Sequence, residues 1–178
     1  MIQSIFNNKK KGSLDMSTMD NLIKAFEGES WAIRKYHAFA EKAEQEGFKQ
    51  AAKLFRALTA SETAHANIHL KQIGSVCSTK ENITYARDLE AAVATEMYPQ
   101  MLEEAVKEGN KQAAQGFEYI KNVEKGHVAL CQKALDNLEN EKDVEYYVCR
   151  HCGNVVEKIL PDSCPICNST KSMYLEIS

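Results

Sequence analysis

The sequence predicts a mainly helical protein, a four-helix bundle followed by a small β and turn domain built around a metal ion. Three observations carry this expectation. Apolar residues recur at helical spacing from about residue 18 to residue 140. Each of the four periodic segments sets a glutamate within its apolar stripe. Four of the six cysteines fall in the last 30 residues, as two Cys-x-x-Cys pairs.

Residues 1–17 show no sustained periodicity and carry the basic run Lys9, Lys10 and Lys11. A disordered tail is the first expectation for them. Translation from Met16 is a second reading and a weak targeting peptide a third. The first helix is expected to be capped by Thr18 or Asp20 and to end at Gly47, and the second to end at Gly74. The third should run from about Thr84 to Lys107, with a kink at Pro99. Gly109-Asn110 closes it and opens the fourth, which reaches about Asn140. Short loops at 47 and 109 make antiparallel hairpins, and the longer polar segment 74–83 lets the second pair cross over the first. Tyr146, Tyr147 and Val148 precede one cysteine pair, and Met173, Tyr174, Leu175 and Ile177 follow the other. These are short β-type runs, too small to bury a core without a metal staple. The expected division is a tail at 1–17, a helical domain at 18–142 and a cysteine domain at 143–178.

Composition narrows the function classes. Hydrophobic residues make up 44% of the chain, enough to fill a core. A net charge of -3 offers no basic surface for nucleic acid. No apolar run approaches the roughly 18 residues of a membrane span, and the N-terminus lacks the pattern of a secretory signal. A cytoplasmic protein with reduced thiols is expected, its clustered cysteines binding metal.

The stripes read Leu22, Phe26, Glu29, Ile33, Tyr36, Ala40 in the first helix and Leu54, Leu58, Glu62, His65, His69 in the second. The third reads Ala86, Glu90, Val93, Met97, Met101, and the fourth Ala113, Phe117, Ile120, Glu124, His127, Cys131, Ala134, Leu138. One inward glutamate is unremarkable on a charged helix. Four packed together would repel one another and lose their hydration, and no lysine or arginine shares these stripes. Two divalent irons would neutralise four carboxylates and leave two neutral imidazoles as further ligands. Two Glu-x-x-His pairs, Glu62/His65 and Glu124/His127, joined by single glutamates from the other helices, form the ligand pattern of ferritin-like di-iron proteins. Mixed oxygen and nitrogen ligation suits iron or manganese. A buried Tyr36 hydroxyl would need an acceptor, and a metal-bound carboxylate is the obvious one. His69 is expected at the periphery, His37 at the surface, and Met97 and Met101 as core filler.

Cys149-x-x-Cys152, eleven residues, then Cys164-x-x-Cys167 is the signature of a tetrahedral tetrathiolate site. Spacing alone does not separate iron from a structural zinc ribbon. With a redox-active di-iron site upstream, an electron-transfer iron is the expectation. Cys131, on the fourth stripe, is expected to be a buried thiol, and Cys77 to lie in a loop.

The segments FEGES (26–30) with Tyr36, SETAH (61–65), TEMYP (95–99), VEKGH (123–127) and CRHCG…CPIC (149–167) resemble the rubrerythrin family over roughly residues 18–178. The resemblance implies a ferritin-like domain followed by a rubredoxin-like domain. Its iron ligands would be Glu29, Glu62, His65, Glu90, Glu124 and His127, with Tyr36 beside them, and a further iron would sit on Cys149, Cys152, Cys164 and Cys167. It implies reduction of hydrogen peroxide to water, with electrons from rubredoxin or an NAD(P)H-dependent reductase entering through the tetracysteine iron. It implies a homodimer or larger homo-oligomer. The family usually has a second glutamate where this chain has Val93, one turn after Glu90, and that residue exchanges with a histidine as an iron shifts between oxidation states. Val93 cannot coordinate metal, so a ferroxidase-like or oxygen-scavenging enzyme is the nearest alternative. A non-catalytic metal-storage or zinc-ribbon module is the alternative from a different class.

Overall fold

A computed structural model of the chain describes residues 17–140, 142–158 and 160–177. Of the expected tail, all but Ser17 lies outside the described residues. The chain divides into two compact units, one reaching Cys77 and the other beginning at Ser78.

The first unit is a helical hairpin of α1, Thr18–Gln45, and α2, Lys49–Ile73. The N-cap is Ser17 rather than Thr18. Its hydroxyl accepts from the Asp20 amide at 3.1 Å, and the Asp20 carboxylate accepts from the Ser17 amide at 3.0 Å. Gly47 adopts φ +82°, which lets the chain reverse in three residues, and the Phe48 amide closes the turn on the Ala43 carbonyl at 2.8 Å. Ala40, Ala43, Ala52 and Ala66 are the buried residues, so the two helices meet through small side chains. Gly74 ends α2 in the left-handed conformation expected of a C-cap, with φ +69°.

The second unit begins with α3, Thr79–Ala92, five residues earlier than the sequence suggested. The reason is a capping box. Ser78 and Glu81 exchange side-chain and backbone bonds, with the Ser78 amide donating to Glu81 Oε2 at 3.0 Å. Helix three does not simply kink at Pro99. A five-residue π-turn, Val93–Met97, stands between α3 and α4, Tyr98–Lys107. Pro99 has no N–H for the Thr95 carbonyl, and the wider turn just before it accommodates that missing donor. The Tyr98 amide reaches back five residues to the Val93 carbonyl, and Thr95 Oγ1 donates to the Ala91 carbonyl at 2.8 Å. Asn110 caps α5, Lys111–Asn137, accepting from the Ala113 amide at 3.1 Å.

A single 3₁₀ turn, Leu138–Asn140, leads to a three-stranded antiparallel sheet of order β2-β1-β3. β1 is Tyr146–Cys149, β2 is Val155–Glu157 and β3 is Tyr174–Ile177. β1 pairs with β3 from Tyr146 opposite Ile177 to Cys149 opposite Tyr174. Lys133 of α5 forms an ion pair with Glu157 of β2. Four helices, with α3, the π-turn and α4 running on as one, a small sheet and a C-terminal cluster of four cysteines match the fold class read from the sequence. No helix among the described residues is long and apolar enough to cross a membrane.

The Ser78 cap gives a direct check. Ser78→Ala leaves the first amides of α3 without their side-chain acceptor and should destabilise the protein by about 1 kcal/mol. Urea unfolding followed by far-UV dichroism measures this, and an unchanged midpoint would contradict it.

Candidate metal centres

Each unit gathers one ligand triad. In the first, α1 supplies Glu29 and α2 supplies Glu62 and His65, one turn apart on one face. In the second, α3 supplies Glu90 and α5 supplies Glu124 and His127 at the same spacing. Within each triad the ligand atoms all lie within 4.8 Å of one another. His65 Nδ1 is 2.8 Å from Glu62 Oε2. His127 Nδ1 is 2.7 Å from Glu124 Oε2 and 3.7 Å from Glu90 Oε1.

The second triad is the more enclosed of the two. The His127 side chain is 25% exposed, against 50% for His65, while Glu124 and Glu62 are similar at 14% and 17%. Burial, followed by the hydrogen bond and the charge of Glu124, pushes the Glu90 carboxyl above the usual carboxylate range, and His127 only partly opposes this. His127 Nε2 is buried with no hydrogen-bond partner. A buried ring nitrogen without a partner is costly, as are two crowded carboxylates without a cation. A divalent metal ion answers both demands, so the residues present fit iron. In the first triad the open edge of His65 leaves ligand atoms accessible.

The structure brings Glu29, Glu62, His65, Glu90, Glu124 and His127 into these two groups. The Tyr36 ring packs with Phe39 and Phe55, each at a centroid distance of 6.3 Å. A tyrosine off the sequence stripe, Tyr98, lies near the carboxylates of the second triad. Burial and then the charges of Glu124 and Glu90 push its phenol upward. Counting at about 100° per residue, an unbroken helix would set Tyr98 about 80° from Glu90, so spacing gave no reason to select it. His37 lies at the surface, 3.6 Å from Glu41. His69 is half-buried, and its Nδ1 lacks a partner. The Cys131 thiol is half-buried and pushed upward by burial and then by Glu90. Glu96, one turn past Val93, is exposed and does not take the place of a carboxylate there.

The four cysteine sulfurs also converge within 4.8 Å. Cys149 and Cys164 are fully buried, whereas Cys152 and Cys167 are partly exposed. Sulfur separations of 3.8 Å for Cys149–Cys167 and 3.6 Å for Cys152–Cys164 rule out disulfides and suit a shared ion. Each pair is folded as a knuckle. The Gly153 amide bonds the Cys149 carbonyl at 2.8 Å, and the Asn168 amide bonds the Cys164 carbonyl at 2.9 Å. Gly153 at φ +83° and Asn168 at φ +59° make these turns possible. Burial alone would raise the Cys164 thiol. Donation from the Cys167 and Ile166 amides and the Tyr174 phenol outweighs it and brings Cys164 down to about 6. Burial drives Cys152 the other way. Without a cation the cluster cannot hold four thiolates together, so metal binding must displace protons from it.

Comparison with known proteins agrees with this inventory. The family model for rubrerythrin matches residues 20–135. The chain is 33% identical over 187 residues to the rubrerythrin of Porphyromonas gingivalis, covering 94% of this chain and 92% of that protein. It is 30% identical over 172 residues to the nigerythrin of Nitratidesulfovibrio vulgaris, covering 89% of this chain and 85% of that one. Among solved structures, nigerythrin in its mixed-valence state superimposes with a TM-score of 0.57 at 28% identity, over 96% of this chain and 91% of that chain.

The carboxylate and thiolate sites are built from different residues, so their metals should be separable. Glu62→Ala should abolish loading of the di-iron centre and leave the red ferric thiolate absorption intact. Cys149→Ser should do the reverse. Metal analysis with visible spectroscopy checks both, and retention of three irons per chain in Glu62→Ala would overturn the ligand assignment.

Proposed function

Because the chain belongs to the rubrerythrin family, oxidoreductases with a carboxylate-bridged di-iron centre and one iron on four cysteines, we propose that it is a cytoplasmic peroxidase reducing hydrogen peroxide to water. The observation that carries this reading is the pair of matched triads, each with two carboxylates and one imidazole, in a chain that also holds a tetrathiolate cluster. Two irons held by Glu29, Glu62, His65, Glu90, Glu124 and His127 would supply the two electrons that, with two protons, convert peroxide to two waters. Glu62 and Glu124, each with a histidine one turn on, are the carboxylates we assign as bridges. Four carboxylates balance two divalent ions, so the residues hold the local charge near neutrality. The imidazoles leave ligand positions open where a small oxidant can enter. The buried flank of Glu90 and Glu124 limits water there.

Cys149, Cys152, Cys164 and Cys167 would hold the iron through which electrons return singly, delivered by rubredoxin or an NAD(P)H-dependent reductase. The amide and phenol donors around Cys164 stabilise its thiolate. A homodimer or larger homo-oligomer is the assembly we propose, by resemblance to the family.

Val93 supports keeping a second reading, an oxygen-scavenging or ferroxidase-like enzyme. It lies one turn after Glu90 and is half-buried, so an apolar side chain stands where the family has a carboxylate. We assign His65 as a ligand in both oxidation states for this reason. Steady-state rates with peroxide and with oxygen distinguish the readings, and a faster oxygen reaction would overturn the peroxidase assignment. Val93→Glu should raise the peroxide-to-oxygen rate ratio and introduce an oxidation-dependent iron displacement between oxidised and reduced crystals. A large displacement in the unaltered protein, with His65 released, would show that another group has replaced the missing carboxylate.

A further inference from the structure

The two helix faces that carry the second triad continue past its ligands. On α3, Thr79, Ile83 and Ala86 precede Glu90 at steps of four, three and four, which keeps them on the Glu90 face. On α5, Cys131 and Ala134 follow His127 at steps of four and three, extending the face of Glu124 and His127. All five of these residues line a cavity of about 440 Å³ that opens to solvent. Thr79 is exposed, whereas Ala86 and Cys131 are half-buried. Ala86 and Cys131 each stand one helical turn, about 6 Å along the axis, from a ligand, so they form the end of the cavity nearest the triad. The Cys131 thiol agrees with that placement, since the charge of Glu90 adds to burial in pushing it upward. The remaining wall is Tyr146 of β1. Tyr146 lies opposite Glu157 in the sheet, and Glu157 pairs with Lys133 of α5, which ties this wall to the helix that bears Cys131.

We propose that this cavity is the route by which a small uncharged oxidant reaches the metal held by Glu90, Glu124 and His127, with Ala86 and Cys131 as its throat. No aspartate, glutamate, lysine, arginine or histidine lines the cavity. An ion would lose hydration there without gaining a partner, whereas a neutral molecule loses far less. The inner end is made of small side chains, so selection is by size and acts before the oxidant meets a ligand. Hydrogen peroxide and oxygen both pass such a throat, and a branched alkyl hydroperoxide is held back in the wider outer part. This route rests on the di-iron reading proposed above. Neither throat residue is a ligand, so each can be changed with the metal in place.

The test uses the full iron-loaded chain, reduced anaerobically, as the unaltered protein, Ala86→Leu and Cys131→Ala. Metal analysis and the ferric thiolate absorption of the oxidised proteins should be the same in all three. Rapid mixing then follows oxidation of the carboxylate-bound iron by hydrogen peroxide, by oxygen and by tert-butyl hydroperoxide. Ala86→Leu narrows the throat and should slow, several-fold, whichever of peroxide and oxygen the centre consumes. Cys131→Ala widens it and should raise the tert-butyl hydroperoxide rate several-fold relative to that of peroxide. A second readout needs no turnover. In a Cys77→Ser background, methyl methanethiosulfonate should modify Cys131 several-fold faster than when Ala86→Leu is added, as followed by mass spectrometry. Equal modification rates would overturn the route, as would unchanged oxidation rates in both variants at full iron content. If Ala86→Leu does not load iron, Cys131→Ala decides, and an unchanged ratio of the two hydroperoxide rates overturns the route. Failure of the unaltered protein to bind two ions beyond the tetracysteine iron would overturn the metal reading and the route with it.

Discussion

Four glutamates drawn out of water are the constraint on which the helical part of this protein depends. A carboxylate placed in an apolar stripe forgoes hydration, and a second one nearby adds repulsion. The alanine contacts at 40, 43, 52 and 66 bring α1 and α2 close enough that Glu29 and Glu62 cannot avoid each other. In the other unit the same crowding raises the Glu90 carboxyl and leaves a histidine nitrogen without a partner. An apolar core would be easier to build at both places. The sequence instead maintains two costly clusters of like composition, which become favourable once a divalent ion occupies them.

The same constraint governs the C-terminal segment in sulfur. Its buried cluster is Cys149, Cys164 and Tyr174, so the ligands are themselves the core. Asn154, buried at 9% exposure, donates to the Tyr174 phenol at 3.3 Å and holds it over the sulfurs. The sheet buries Cys149 of β1 and Tyr174 of β3 and leaves Leu175 and Ile177 about half exposed.

Much of this was legible in the sequence because ligand spacing and helix period coincide. Glu62/His65 and Glu124/His127 stand one turn apart, and a constant 3.6-residue period suffices to find them. The cysteine knuckles were legible for a similar reason, being set by two short local turns. What escaped was whatever breaks a constant period. A π-turn has no compositional signature beyond the nearby Pro99, so a constant period runs through Met97 and Met101 and misses Tyr98. The start of α3 is hidden because Ser78 and Glu81 sit in a polar stretch that reads as loop without the box they form. Strand β2 is only three residues long and offers too little alternation to register.

A segment whose fully buried side chains are metal-ligating thiols depends on supply of the ion for its folded form. Apolar burial compensates poorly for loss of the ion in the segment from β1 to β3, because its two fully buried side chains are thiols and its other apolar side chains are only partly buried around them. Newly made chains in an iron-poor cell would therefore carry an unstructured end of about thirty residues next to long helices that form without it. Such an end is a starting point for proteases. The abundance of the protein would then follow iron availability through its turnover, with no dedicated sensor.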